Sequence, residues 1–226
     1  MEEKCFTKKV ECPVCNNKFD IIKVIASGIV MEKKDEDFCP YYKGVNPILY
    51  SACVCSKCGY ANFEDKFNSI SDKDIKKINE VIKSKWTPRD FSEERTIDTA
   101  IEAFKLVLLS SQVRNVKKAE VAKICMRLAW FYRYLEDEKE KDFLKYALDA
   151  YIESFEKEAL PIDNLDEITC MYMIGELHRR LGEPQEASKW FFKIISAKEP
   201  KILNKGKANL IIKMAREQIQ NLRDNR

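Results

Sequence analysis

The chain has 226 residues, a formal net charge of +3, 45% hydrophobic and 34% charged residues. This balance excludes a disordered chain, and so small an excess of cations does not announce a nucleic-acid or membrane surface. No apolar run approaches the length of a membrane span and the start lacks a basic segment followed by an apolar one, so a cytoplasmic protein is expected.

The first legible feature is Cys12-Pro13-Val14-Cys15, answered further on by Cys55-Ser56-Lys57-Cys58-Gly59-Tyr60. Two C-x2-C pairs in one short segment read as a four-thiolate Zn2+ site, because each tight turn presents two soft sulfurs to one ion. The residue after the second cysteine must accept positive φ, and Asn16 and Gly59 stand there. A closed shell of Cys12, Cys15, Cys55 and Cys58 keeps no open position, so the expected role is structural. Cys53 competes with Cys55 on a probable strand, but only Cys55 completes a C-x2-C turn with Cys58. Cys5 and Cys39 are expected to be free buried thiols rather than a second metal site.

Between the knuckles, Phe19 to Ile25 and Ile29 to Met31 read as a hairpin around Ser27-Gly28. A charged loop from Glu32 to Asp37 leads into an aromatic stretch, Phe38 to Tyr50, whose two prolines and glycine argue against a helix. Its aromatics are read as core around the metal site, with a contact surface as the alternative. Leu49 to Val54 is expected to be the strand entering the second knuckle. Residues 1–70 therefore read as a small zinc-ribbon-like β module.

Ser71 with Asp74 resembles a helix start, and Ile75, Ile78, Val81 and Ile82 give one apolar face. This helix and the Trp86-Thr87-Pro88 break are read as a connection over 71–91. Residues 92–226 read as all-helical, with Ser92 as the first N-cap. Stripes run through Ile97, Ile101, Phe104 and Leu108, then through Val121 to Tyr132. Further helices are expected at about 141–157, 168–181, 184–197 and 205–222. Cys125 and Cys170 fall inside such stripes as small core residues.

Met171, Ile174, Gly175, His178, Gly182, Ala187 and Phe191 sit at the spaced positions of a tetratricopeptide repeat, with Pro200 one residue late. Leu128, Ala129, Tyr132, Ala147 and Tyr151 repeat the logic one unit earlier, with extra residues in the connection. The fold class expected is α+β: a zinc-ribbon-like β module followed by an all-α tetratricopeptide-like domain.

The knuckles, Asp37-Phe-Cys-Pro-Tyr-Tyr42 with Gly44-Val-Asn-Pro47, and Ile174-Gly-Glu-Leu-His-Arg-Arg-Leu-Gly182 together resemble the bacterial family called domain of unknown function 2225. The resemblance spans nearly the whole chain. It implies a bacterial, intracellular protein with a zinc-binding front and a repeat-like helical back, and it supplies no reaction.

Three functions follow as expectations. The leading one is a non-enzymatic scaffold or adaptor that binds another protein through its helical domain. A thiol-based redox sensor or enzyme would use Cys39 or Cys53 beside the zinc site. It has little support from the rest of the chain, since the one histidine, His178, occupies a repeat packing position. No Ser-His-Asp set, Gly-rich phosphate loop or H-E-x-x-H motif accompanies it. A nucleic-acid-binding zinc ribbon is the third. Against it, residues 1–70 hold ten lysines and ten acids, and the cationic excess lies at 198–226.

Overall fold

The computed structural model describes residues 4–198 and 200–224. Small antiparallel strand pairs at the N-terminal end are followed by seven α-helices among the described residues, a mixed α+β and mostly helical fold. The chain divides into two compact units whose segments interleave: Met1–Lys34, Pro40–Val116 and Trp130–Asp137 form one, and Asp35–Cys39, Lys117–Ala129 and Glu138–Arg226 the other.

In the first unit, β1 (Cys5–Glu11) pairs with β2 (Lys18–Val24), in register from Cys5↔Val24 to Glu11↔Lys18. The first knuckle is therefore the loop of this hairpin. β3 (Val30–Lys34) pairs with β4 (Pro40–Lys43), and β5 (Ala52–Val54) with β6 (Ala61–Phe63) across the second knuckle. The hairpin expected around Ser27-Gly28 does not form. A 3-10 turn at Ala26–Gly28 separates β2 from β3, and β2 has taken β1 as its partner instead. The strand entering the second knuckle starts later than expected because Pro47–Tyr50 is a 3-10 turn. Pro47 pre-sets its first residue, and the Asn46 side chain accepts from the Ile48 N–H at 3.1 Å.

α1 (Asp72–Val81) starts where expected: the Ser71 hydroxyl accepts from the Asp74 N–H at 3.2 Å and donates to its carboxylate at 2.9 Å. α2 (Ile97–Arg114) starts later than expected. Ser92 is occupied by the Asp90 carboxylate, and Thr96 is the cap, accepting from the Thr99 N–H at 3.2 Å. α2 packs on β5, β6 and α1. Its Ser110 hydroxyl accepts from the Ala61 N–H at 3.2 Å, satisfying a donor on the open edge of β6. Phe63, Phe104 and Phe131 continue the contact as edge-to-face rings 5.6 and 5.2 Å apart.

α3 (Lys118–Tyr134) contributes residues to both units. The second unit also contains α4 (Lys139–Lys157), α5 (Glu167–Arg180), α6 (Pro184–Ser196) and α7 (Lys205–Asp224), close to the spans that periodicity predicts. Its helices pair in succession, α4 with α5, α5 with α6 and α6 with α7. Gly175 permits the α5–α6 approach, since a Cβ there would lie 2.7 Å from the Phe191 ring. The Glu158 carboxylate, beyond the end of α4, accepts from the Lys118 and Ala119 N–H groups at 2.6 and 3.1 Å and so caps α3. A buried network holds segment 35–39: Glu176 accepts from Arg179 and Arg180, and Arg180 lies 3.4 Å from buried Asp37.

Asp166 caps α5, accepting from Thr169 N–H at 2.9 Å and Leu203 N–H at 3.2 Å. Burial by itself raises its carboxyl pKa, but these donors outweigh it and hold the group below the usual carboxylate value. A depressed folded-state pKa contributes stability above the unfolded value, near 4, and loses it as pH falls through the folded value. Asp166→Asn can keep the Thr169 cap but turns an amide NH2 toward the Leu203 N–H, and is expected to cost about 1 kcal/mol at neutral pH. In denaturant titrations the difference from the wild type should shrink below about pH 4; a pH-independent difference would refute the charged cap.

Candidate metal centre

The two knuckles share one backbone scheme. Asn16 N–H donates to the Cys12 carbonyl at 2.9 Å and Cys12 N–H to that of Asn17 at 2.9 Å; Gly59 N–H donates to Cys55 at 2.9 Å and Cys55 N–H to Tyr60 at 2.8 Å. Asn16 and Gly59 hold φ of 55° and 75°, the left-handed conformation that the turn requires. A long side chain with a branched β-carbon would strain either position.

These turns bring the sulfurs of Cys12, Cys15, Cys55 and Cys58 together, all within 4.8 Å of one another. Two contacts run between the knuckles, Cys12 to Cys58 at 3.7 Å and Cys15 to Cys55 at 3.6 Å. A tetrahedron with metal–sulfur bonds of about 2.3 Å has edges of about 3.8 Å, so the set has the size of a metal shell. Three of the four cysteines are fully buried and Cys15 is half-buried. Hydrogen bonds from Cys12 and then Cys58 push the Cys55 thiol down, while the bond to Cys55 pushes Cys12 up and the bond to Cys12 pushes Cys58 up. So many sulfurs in a dry cluster suit a cation that replaces the thiol protons.

The surrounding core comprises Ile21, Tyr60, Phe67, Ile78 and Ile82. Tyr60 donates its hydroxyl to the Phe67 carbonyl at 3.1 Å, and Phe67 meets Phe19 edge to face at 6.0 Å. Ile78 of α1 and Ile82, the residue just past its end, thus pack into the core around the cluster. Trp86 covers the second knuckle, donating its Nε1–H to the Ser56 carbonyl at 2.8 Å. Its ring lies so close that a Cβ on Gly59 would be 2.5 Å away.

Cys53 is buried in the same core but outside the four-sulfur set, and burial raises its thiol pKa. Cys39 belongs to the second unit, buried, its N–H directed at the Asp37 carboxylate at 3.3 Å. Cys5, expected to be buried, lies only half-buried, at the start of β1. His178 pairs with Glu183 through Nδ1 at 2.6 Å. In the sequence Trp86 reads only as part of a helix break and Tyr60 only as part of the second knuckle; their packing against Gly59 and Phe67 is visible only in the fold. Trp86 lies 27 positions past Gly59, too far for any local signal to connect them.

Two ribbon-like hairpins bring four cysteines together in a geometry that could hold a metal ion, and a series of helices follows in the chain. The chain belongs to the family described as "Uncharacterized protein conserved in bacteria (DUF2225)", whose model matches residues 5–222. An uncharacterised protein of Borreliella burgdorferi is 30% identical over 200 residues, covering 75% of this chain and 70% of the relative. No solved structure matches significantly.

Gly59→Ala is expected to destabilise the first unit by about 1–3 kcal/mol through the ring collision and positive φ together. Adding Trp86→Leu should recover only the collision's share. A denaturation midpoint unchanged by Gly59→Ala would contradict the packing described.

Proposed function

We propose that Cys12, Cys15, Cys55 and Cys58 hold one structural Zn2+, and that the protein acts as a non-enzymatic adaptor binding another protein through its helices. The observation that carries this reading is the closed tetrad of sulfurs itself. Four thiolates complete a tetrahedral shell, which supplies a cross-link and folding free energy rather than an activated water. Such sites are worth roughly 10 to 16 kcal/mol in zinc-finger peptides at neutral pH, enough to decide whether a module of short hairpins folds.

Thiol chemistry is less well supported. Cys53, Cys125 and Cys170 are buried and their pKa values are raised by burial, the reverse of what a reactive thiolate needs. His178 is engaged with Glu183 rather than with a nucleophile. On the adaptor side, α5 and α6 pair closely at Gly175 and Phe191, as in a tetratricopeptide unit, and Phe192 and Ile195 of α6 stay exposed. Among the described residues no helix is long and apolar enough to cross a membrane.

Metal content and thiol counts on protein purified under reducing conditions test the first part. One zinc per chain is expected, with four thiols becoming reactive only on chelation and the hairpin module unfolding with them. Absence of zinc, or a fast-reacting thiol with zinc still bound, would refute the structural site. For the second part, a partner retained from a bacterial lysate by the wild type should be lost from Phe192→Asp at unchanged zinc content and melting temperature. Salt-sensitive retention of RNA or DNA in its place would favour the nucleic-acid alternative.

A further inference from the structure

Away from the cysteine cluster, the first unit holds a recess of about 510 Å3 walled by Tyr41, Tyr42, Tyr50 and Tyr134, with Arg95 and Lys4 among its lining residues. Small-molecule sites have volumes of roughly 300 to 1,000 Å3. Tyr41 and Tyr134 meet edge to face at 5.5 Å, and the Tyr50 hydroxyl accepts from the Arg95 N–H at 3.2 Å. The walls therefore carry aromatic rings with polar tips, the Tyr41 ring also meeting the Lys33 ammonium at 4.1 Å.

Arg95 is only 8% exposed. Its Nη1 donates to the Leu49 carbonyl at 3.3 Å and its Nη2 to the Ala52 carbonyl at 3.1 Å. Both partners are neutral, so the guanidinium keeps its full charge in a place largely removed from water. Burial correspondingly pulls it below the ordinary arginine value. Buried arginines are usually matched by an anion, because a desolvated cation held by neutral groups alone carries a cost that a carboxylate or phosphate relieves. Lys4 adds a second cation, its Nζ close enough over Gly44 that a Cβ built there would be 3.0 Å away. Glu32 and Glu94 also line the recess; these two carboxylates and Lys4 are all exposed, so water and salt screen the three alike and Arg95 is the buried charge among them.

We propose that this recess binds a small organic anion, a planar or aromatic body bearing a carboxylate or phosphate group, with Arg95 as its charge partner. The tyrosine rings hold the body and the buried guanidinium selects the charge. Nothing in this assignment depends on the occupant of the cysteine cluster, and no bond is made or broken.

The test is ligand-observed NMR on the full chain with 2-naphthoate, phenyl phosphate, the neutral 2-naphthamide and phenyltrimethylammonium. At least one anion should bind saturably at a Kd of about 1 mM or below, some tenfold or more tighter than the amide, and the better anion identifies carboxylate or phosphate as the group recognised. Arg95→Gln should abolish that preference. Because Arg95 also ties Leu49 and Ala52, Val45→Trp serves as the second variant: it fills the recess, leaves those hydrogen bonds in place and should remove binding at an unchanged melting temperature. Lack of saturable binding by both anions, equal binding of the amide, preference for the ammonium, or binding that survives Val45→Trp would each overturn the proposal.

Discussion

The first unit depends on the meeting of two hairpin loops at four sulfurs. β5 and β6 pair over only three residues, and hairpins that short are marginal in water without a further constraint. The constraint acts outward from the cluster. Each knuckle fixes the register of the strands it joins, Glu11 opposite Lys18 and Val54 opposite Ala61. Tyr60, Phe67 and Ile78 then pack over the cysteines, and Trp86 closes the second knuckle from outside. Slippage by one residue would turn each strand's buried side outward, so fixing the loops fixes the faces.

The second unit is held by a different kind of interaction. Its helices are long enough to bury continuous apolar faces, and their ends are satisfied by side chains distant in sequence. Glu158 caps α3 and Asp166 ties the start of α5 to Leu203. Charge is also buried here, at Glu176, where two arginines supply the hydrogen bonds that make a desolvated carboxylate tolerable. The second unit thus places its buried charge where several partners converge.

What could be read from the sequence was what is periodic or locally spaced. The C-x2-C pairs, the positive-φ residues behind them, the Ser71 cap and the helices from α4 onward each depend on residues a few positions apart, and each lies close to where its pattern put it. Strand pairing depended on choices among distant partners. Phe19 to Ile25 is as good a partner for Ile29 to Met31 as for β1, and the knuckle's role as a hairpin loop decided the matter. Thr96 rather than Ser92 capped α2 because Asp90 had already engaged Ser92. Trp86 over Gly59 and the carbonyl-held Arg95 had no local signature, since their meaning lies in what they touch.

The equivalence of the two knuckles has a consequence for how the chain can vary in length. Cys15 and Cys55 are 40 positions apart, and the entropy of closing such a loop rises only logarithmically, so doubling it costs about 0.6 kcal/mol. Inside a knuckle the arithmetic is unforgiving: one inserted residue breaks both backbone hydrogen bonds of the turn and displaces a sulfur by ångströms. The tetrad therefore tolerates growth of the intervening chain while admitting none at its own corners. Length is cheap between the paired cysteines and prohibited within them.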